Sequence, residues 1–400
     1  MKTAQMWLLG MALLSVQVNA QDLGTRVQHA LAVARDHAEL TARMLGDSTT
    51  LPRSSTPTGR WVTVPPSDWT SGFFPGLLWN LYSWFTTPAL QHDAKRFTDR
   101  LTSQQNNTRT HDVGFMMFCS FGNAQRLSPS ETYQQILLQS ARSLASRFDP
   151  RVGSIKSWDG TPRWGYPVIV DNLMNLELLF WASRNGGPAA YRDVATRHAL
   201  ATLANHVRPD GSTFHVVDYD TVTGDVVARQ TAQGFSDGSV WARGQAWAVY
   251  GFTMVYRETH DERFLKTAQR TADYFVNHLP ADGVPYWDFE APDIPDAPRD
   301  ASAGAIAASA LLELCTMGTD TVRQHRYRVE AELILGSLTS AAYLSQGPPA
   351  ARGILNHATG NHPHGLEIDV SLIYGDYYFV EALLRYNRLM SMAPPRAGSR

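Results

Sequence analysis

Five short segments of this chain gather polar side chains beside aromatic ones. They are Ser67-Asp68-Trp69-Thr70; His111-Asp112 with Phe115; Trp158-Asp159-Gly160, followed by Trp164 and then Val170-Asp171-Asn172; Gln233 to Ser239, running into Trp241-Ala242-Arg243 and Trp247; and His357 with His362-Pro363-His364, Glu367 and Asp369. Carboxyls beside flat apolar faces suit proton transfer to a weakly polar ring. Asp171 is the most suggestive. It follows Val168-Ile169-Val170 and precedes Leu173, Met174 and Leu176, and a carboxyl stripped of water in such company holds its proton to higher pH, as a general acid must. The plainer reading of an aspartate at a helix start is a cap worth about 1 kcal/mol. That reading stands open for Asp112 and Asp171 taken singly and is preferred for Asp68 and Asp237. Arg243 lies four residues before Trp247, so both share a helix face. A buried arginine needs an anionic partner, here either a structural carboxylate or a carboxylate of the substrate. Trp69, Trp158 and Trp247 could each equally be core.

Other chemistries find little support. There is no HExxH, CxxC or aspartate-rich calcium loop, and proline stiffens His362-Pro363-His364 into a poor chelating pair. No GxSxG elbow, P-loop or GxGxxG after a strand occurs. Neither metal nor cofactor is expected.

The elements that must position these residues are mostly helices. Apolar residues recur every three or four positions from Leu23 to Leu45, and Ser128-Pro129-Ser130-Glu131 forms a capping box with proline at the first helical position. Such patterns predict helices near 22–45, 69–86, 90–104, 111–125, 129–148, 171–184, 189–206, 241–258, 261–279, 300–318, 322–344 and 376–392. Residues 212–231 alternate, are β-branched and contain Thr-Gly-Asp, which reads as a hairpin. Twelve helices in sequence-adjacent pairs fit a toroid of six α-hairpins with a cleft at one end. An open solenoid is the alternative, but no repeat of fixed length is visible.

Composition narrows the setting. The 400 residues carry 35 Lys+Arg against 37 Asp+Glu, which argues against a nucleic-acid binder and against a polybasic membrane patch. Residues 1–20 have the basic start, apolar run and Val18-Asn19-Ala20 site of a secretory signal peptide and are too short an apolar run to span a bilayer. Residues 21–400 are then expected to form one catalytic domain, exported to the periplasm or beyond, with no membrane span and at most weak self-association. Cys119 and Cys315 lie in apolar helical contexts and read as buried free thiols. Eleven tryptophans suit either a large core or a site that stacks flat rings. From the residues alone, the chain reads as an exported helical toroid acting on carbohydrate.

At these motifs the chain resembles glycoside hydrolase family 88, the unsaturated glucuronyl hydrolases. The resemblance rests on DWTSGFFPGLLWNLY (68–82), HDVGF (111–115), DNLMNLELLFWAS (171–183), QGFSDGSVWARGQAWAVYGF (233–252), PYWDFEAP (285–292), RDASAGAIAASALLEL (299–314) and GDYYFVEALLR (375–385). It implies an (α/α)6 barrel, with Asp171 as general acid/base and Asp112 as the assisting carboxylate. Trp69, His111, Trp158, His215, Gln233, Arg243 and Trp247 match substrate-binding positions. His215 falls in the hairpin, which should therefore fold over the cleft. The implied substrates are lyase-made oligosaccharides with a Δ4,5-unsaturated uronic acid at the non-reducing end. Their ring oxygen and C4=C5 bond form a vinyl ether, so C4 takes the proton and water adds at C5. Some family members carry a Tyr-His pair in the loop after residue 352; here Asn356 precedes His357, and that loop is expected to contact the leaving sugar. A relative acting on unsaturated rhamnogalacturonan, an inverting glycosidase and a non-catalytic sugar-binding protein are the competing readings.

Overall fold

The structure is a computed structural model that describes residues 20–346 and 353–392. The predicted signal peptide thus lies almost wholly outside the described residues. The chain runs α1 (Ala20–Leu45), β1 (Leu51–Ser55), β2 (Trp61–Val64), α2 (Phe73–Phe85), α3 (Pro88–Asp99), α4 (Val113–Met117), α5 (Asn123–Leu127), α6 (Glu131–Ala145), β3 (Phe148–Asp149), β4 (Ser154–Ile155), β5 (Pro167–Ile169), α7 (Leu176–Arg184), α8 (Ala190–Asn205), β6 (Val216–Tyr219), β7 (Val226–Gln230), α9 (Ala242–Thr259), α10 (Glu262–Asn277), α11 (Ala301–Leu314), α12 (Thr321–Leu338) and α13 (Ile373–Met392). A π-turn, Phe118–Gly122, joins α4 and α5 into one rod, and a 3-10 turn, Val170–Asn175, leads into α7.

Two concentric rings result. The α4–α5 rod and helices α2, α7, α9, α11 and α13 form the inner ring. It closes because α13 packs on both α11 and α2. Their sequences explain the placement. In α11 every residue except Glu313 is buried, and its alanines, serines and glycine let neighbouring helices approach on all sides. Outer helices bury one stripe only: α10 buries Phe264, Leu265, Ala268, Ala272 and Phe275 and turns its charges outward. The fold is the (α/α)6 barrel that the motifs implied. One pairing differs from six sequence-adjacent hairpins. The outer partner of α13 is α1, so the first and last helices of the described chain close the barrel together.

The predicted hairpin is β6–β7, extended into a three-strand sheet by β5 on the far side of β6. The small β1–β2 and β3–β4 pairs were not foreseen. Their strands are as short as two residues, below the length at which alternation can be read. Cys119 and Cys315 are buried and unpaired, as expected.

Candidate active site

A cleft of about 290 Å³ opens at one end of the inner ring. All but two of the predicted site residues line it: Trp69, His111, Asp112, Trp158, Asp171, His215, Gln233 and Arg243. Phe115, Ile169, Ala232, Asn361 and His364 complete the lining.

Sheet pairing brings the first group together. Ile169 of β5 pairs with Val216 of β6, and the Val170 amide donates to the His215 carbonyl at 3.0 Å. The register therefore sets Asp171, two residues past β5, beside His215, one residue before β6. A second junction carries Asp112. The His111 amide donates to the Ser157 carbonyl at 2.9 Å, and Thr110 bridges Trp158. Gly114 sits where a Cβ would collide with the Asn175 side chain, so the α4 start presses directly on the turn carrying Asp171.

The two carboxylates are set apart in proton affinity. Burial pushes Asp171 up to about 7, with Asp112 adding repulsion and His111 and Arg243 opposing. Its Oδ2 is buried with no hydrogen-bond partner among the described residues. Asp112 is partly buried, its side chain 20% exposed, and His111, the Thr110 hydroxyl and Arg147 outweigh desolvation and hold it below the ordinary carboxylate range. The Thr110 hydroxyl donates to Asp112 Oδ2 at 2.7 Å, and His111 Nε2 lies 3.2 Å from Oδ1. An acid and a carboxylate poised at neutral pH are what acid–base hydrolysis needs.

His215 has a defined tautomer. Its Nδ1 accepts the Ala232 and Gln233 amides at 3.2 and 3.3 Å, so the proton sits on Nε2. Burial, then Arg243 and His206, push the ring down to about 3, so it is neutral at working pH. Its Nε2, otherwise unpartnered, lies 3.8 Å from Asp171 Oδ2. A neutral donor thus faces the acid across a gap at the cleft floor.

Arg243 has its anionic partner in the protein: Nη1 donates to Asp300 Oδ2 at 2.8 Å and to the Thr359 carbonyl at 2.5 Å, and Nη2 to the Gly360 carbonyl at 2.5 Å. The Gln233 amide also donates to Gly360 at 3.3 Å. Together they hold the loop that brings Asn361 and His364 to the cleft. Trp69 and Trp158 are half-buried and offer aromatic faces. Trp69 packs on Tyr374 with centroids 4.9 Å apart, and Trp158 meets Trp164 edge-on at 5.6 Å.

Two predicted binding residues lie elsewhere. Trp247 is fully buried, packed against Phe115 at 5.2 Å and Tyr378 at 5.3 Å, one layer beneath the cleft floor. His357 is exposed with φ +62°, and its Nδ1 pairs with Asp369 at 2.6 Å away from the lining. Asn361 and His364 line the cleft without having been predicted to, although their histidine cluster reads in the sequence as a poor chelating pair. The structure splits that pair: His362 stacks on Trp287 at 4.0 Å, while His364 Nδ1 bonds Asn361 Oδ1 at 2.9 Å.

A closed helical ring with two unlike carboxylates and aromatic walls at its mouth defines a carbohydrate-active hydrolase of the acid–base type. The chain belongs to the unsaturated glucuronyl hydrolases. It is 46% identical over 331 residues to an unsaturated glucuronyl hydrolase of Formosa agariphila, covering 82% of each chain. It is 33% identical over 341 residues to an unsaturated chondroitin disaccharide hydrolase of Streptococcus pyogenes serotype M1, covering 84% of this chain and 85% of that one. A solved unsaturated glucuronyl hydrolase specific for heparin superposes with a TM-score of 0.87 at 41% identity, over 94% of this chain and 99% of that chain. No family model matches.

Proposed function

We propose that the protein releases the Δ4,5-unsaturated uronic acid from the non-reducing end of glycosaminoglycan-derived oligosaccharides, with Asp171 as acid and base. The observation that carries this reading is the pairing of a carboxyl protonated up to about pH 7, its Oδ2 unpartnered, with the ionised Asp112 in one cleft. Asp171 gives its proton to C4 of the vinyl ether, and positive charge develops on C5 and the ring oxygen. The Asp171 carboxylate then takes a proton from water as its oxygen bonds C5. The C5 hemiketal opens, leaving a hemiacetal at C1 that expels the leaving sugar. One water is consumed, and the acid ends reprotonated. Because no bond to the enzyme forms, the separation of the carboxylates does not dictate the anomeric outcome. The His215 Nε2–H is in position to steady the negative charge that comes and goes on Asp171, while repulsion from Asp112 helps keep the proton on Asp171 beforehand. Trp69 and Trp158 supply faces for the flattened ring.

We further propose that residues 1–20 direct export and that residues 21–400 form the catalytic domain; N-terminal sequencing of the exported chain tests the cleavage site. The activity is tested with unsaturated disaccharides of chondroitin, heparin and hyaluronan type, followed by loss of double-bond absorbance. Turnover of pectin-derived fragments alone would move the reading to rhamnogalacturonan. Binding without turnover across the panel would make the protein a sugar-binding module.

A further inference from the structure

Arg147 lies just past the end of α6 and does not line the cleft, yet three of the connections around it converge on the site. Its side chain is 6% exposed. Nε donates to the Lys156 carbonyl at 2.8 Å, and Nη1 donates to the Thr108 carbonyl. The first acceptor lies two residues before Trp158; the second lies two residues before Thr110, whose hydroxyl holds Asp112. One guanidinium therefore pins together the two segments that carry Asp112 and Trp158. Its backbone joins in, since the Arg147 carbonyl accepts the Lys156 amide at 3.1 Å and the Tyr166 hydroxyl at 2.9 Å.

The charge is as notable as the staple. Nη2 is buried without a hydrogen-bond partner among the described residues. The carboxylate nearest to Nη1 is Asp159, at 3.5 Å and 65% exposed, so water screens that pair and little of the buried positive charge is cancelled. A planar guanidinium, always protonated, is the side chain that can make both a two-pronged carbonyl clamp and a fixed charge.

We propose that Arg147 is a positioning residue for the reaction: its fork sets the Thr108–Asp112 segment against the Lys156–Trp158 segment, and its buried charge, held beside the segment that carries Asp112, adds to the larger effect of His111 in favouring the Asp112 anion. This rests on the role assigned above to Asp112. The groups facing Asp112 are His111 from its own segment, Asp171 from the turn after β5 and Arg147 from the end of α6. Those facing Arg147 are Asp112, Asp159 and Tyr166. His198 of α8 faces His111 from behind. Of these, Arg147 is the cation that is neither exposed nor tied to a buried carboxylate.

The test separates charge from clamp in the full-length enzyme. In R147Q the charge is lost while one donor remains. The acid limb of the kcat/KM profile should rise by about half a pH unit, as expected for losing one partly screened charge. In R147K the charge remains while the fork is lost. The acid limb should stay in place while KM rises several-fold as Trp158 loses its register. An acid limb unmoved in folded R147Q overturns the proposal. Should R147Q fail to fold, R147K decides: a KM left at the wild-type value in the folded variant overturns the clamp and the proposal with it. D112N distinguishes the two readings. A limb that persists in D112N refutes the role of Asp112 and this proposal with it. A limb lost in D112N but indifferent to Arg147 refutes only the positioning role.

Discussion

Replacing Asp171 by Asn should cripple the enzyme and stabilise it at once, by an amount that depends on pH. In the unfolded chain this carboxyl titrates near 3.8, and in the native cleft near 7. Between those values the native state holds a proton that the unfolded state has lost, so wild-type stability falls as pH rises through the interval. About three units at roughly 1.4 kcal/mol each gives a ceiling of about 4 kcal/mol, fully felt above pH 7 and absent below pH 4. The neutral amide of D171N carries no such penalty. Each kcal/mol is worth about 2–4 °C for chains of 150–250 residues and less for a longer one, so D171N should melt several degrees above wild type at pH 8 and level with it at pH 4. Turnover should fall by roughly 10²–10⁴, the usual worth of a general acid–base. Melting by scanning fluorimetry across pH, beside the absorbance assay, checks both. A stability gain equal at every pH, or turnover close to wild type, would refute the claim that a buried, proton-holding Asp171 drives the reaction.

The rate profile gives a second check: kcat/KM should fall as pH rises through about 7, where Asp171 loses its proton, and its acid limb should lie below the ordinary carboxylate range, where Asp112 gains one. Trp158 and Trp247 should behave differently. W158A should raise KM by roughly tenfold, the loss of one stacking face, with little change in melting, whereas W247A should cost about 3–5 kcal/mol of stability for a large buried ring, read by denaturant titration. D300N should move the alkaline limb of the same profile to lower pH, because Arg243 loses its counter-charge and its field on Asp171 grows. A limb left in place would show that the Arg243 charge does not reach the acid.

Much of this was legible in the sequence because the signals were local. Asp171 stood out through its apolar neighbours, and those neighbours are the ones that bury it. The helices announced themselves by period, and the hairpin by alternation and turn chemistry. What failed was one helix boundary, set by a local turn, and whatever distance in the chain controls. The 69–86 helix begins only at Phe73, because Asp68 accepts the Thr70 amide and hydroxyl and holds a turn there. Asn361 and His364 reach the cleft only because Arg243 and Gln233, more than a hundred residues earlier, grip the Gly360 carbonyl. No local pattern encodes that grip. Trp247 misled for a geometric reason. It shares a face with Arg243, but one helical turn is about 5.4 Å of rise. In an inner helix whose first turn sits at the cleft, the next turn is already in the core.

That same turn of helix explains how an arginine and an acid coexist in so small a site. A free guanidinium beside Asp171 would favour its ionised form and abolish the acid. Here burial outweighs the cation, and Asp171 still holds its proton to about pH 7. The difference lies in what Arg243 already touches. Asp300 cancels its charge at 2.8 Å, and two carbonyls take two more of its donors. Asp300 is itself held by the Ser302 amide and hydroxyl at the head of α11, so the counter-charge is fixed by the barrel and not by the substrate. Arg243 thereby shapes the loop over the cleft while leaving Asp171 its proton. The proposed reaction needs both, since the proton must reach C4 before water, and Asn361 and His364 line the cleft only with that loop in place.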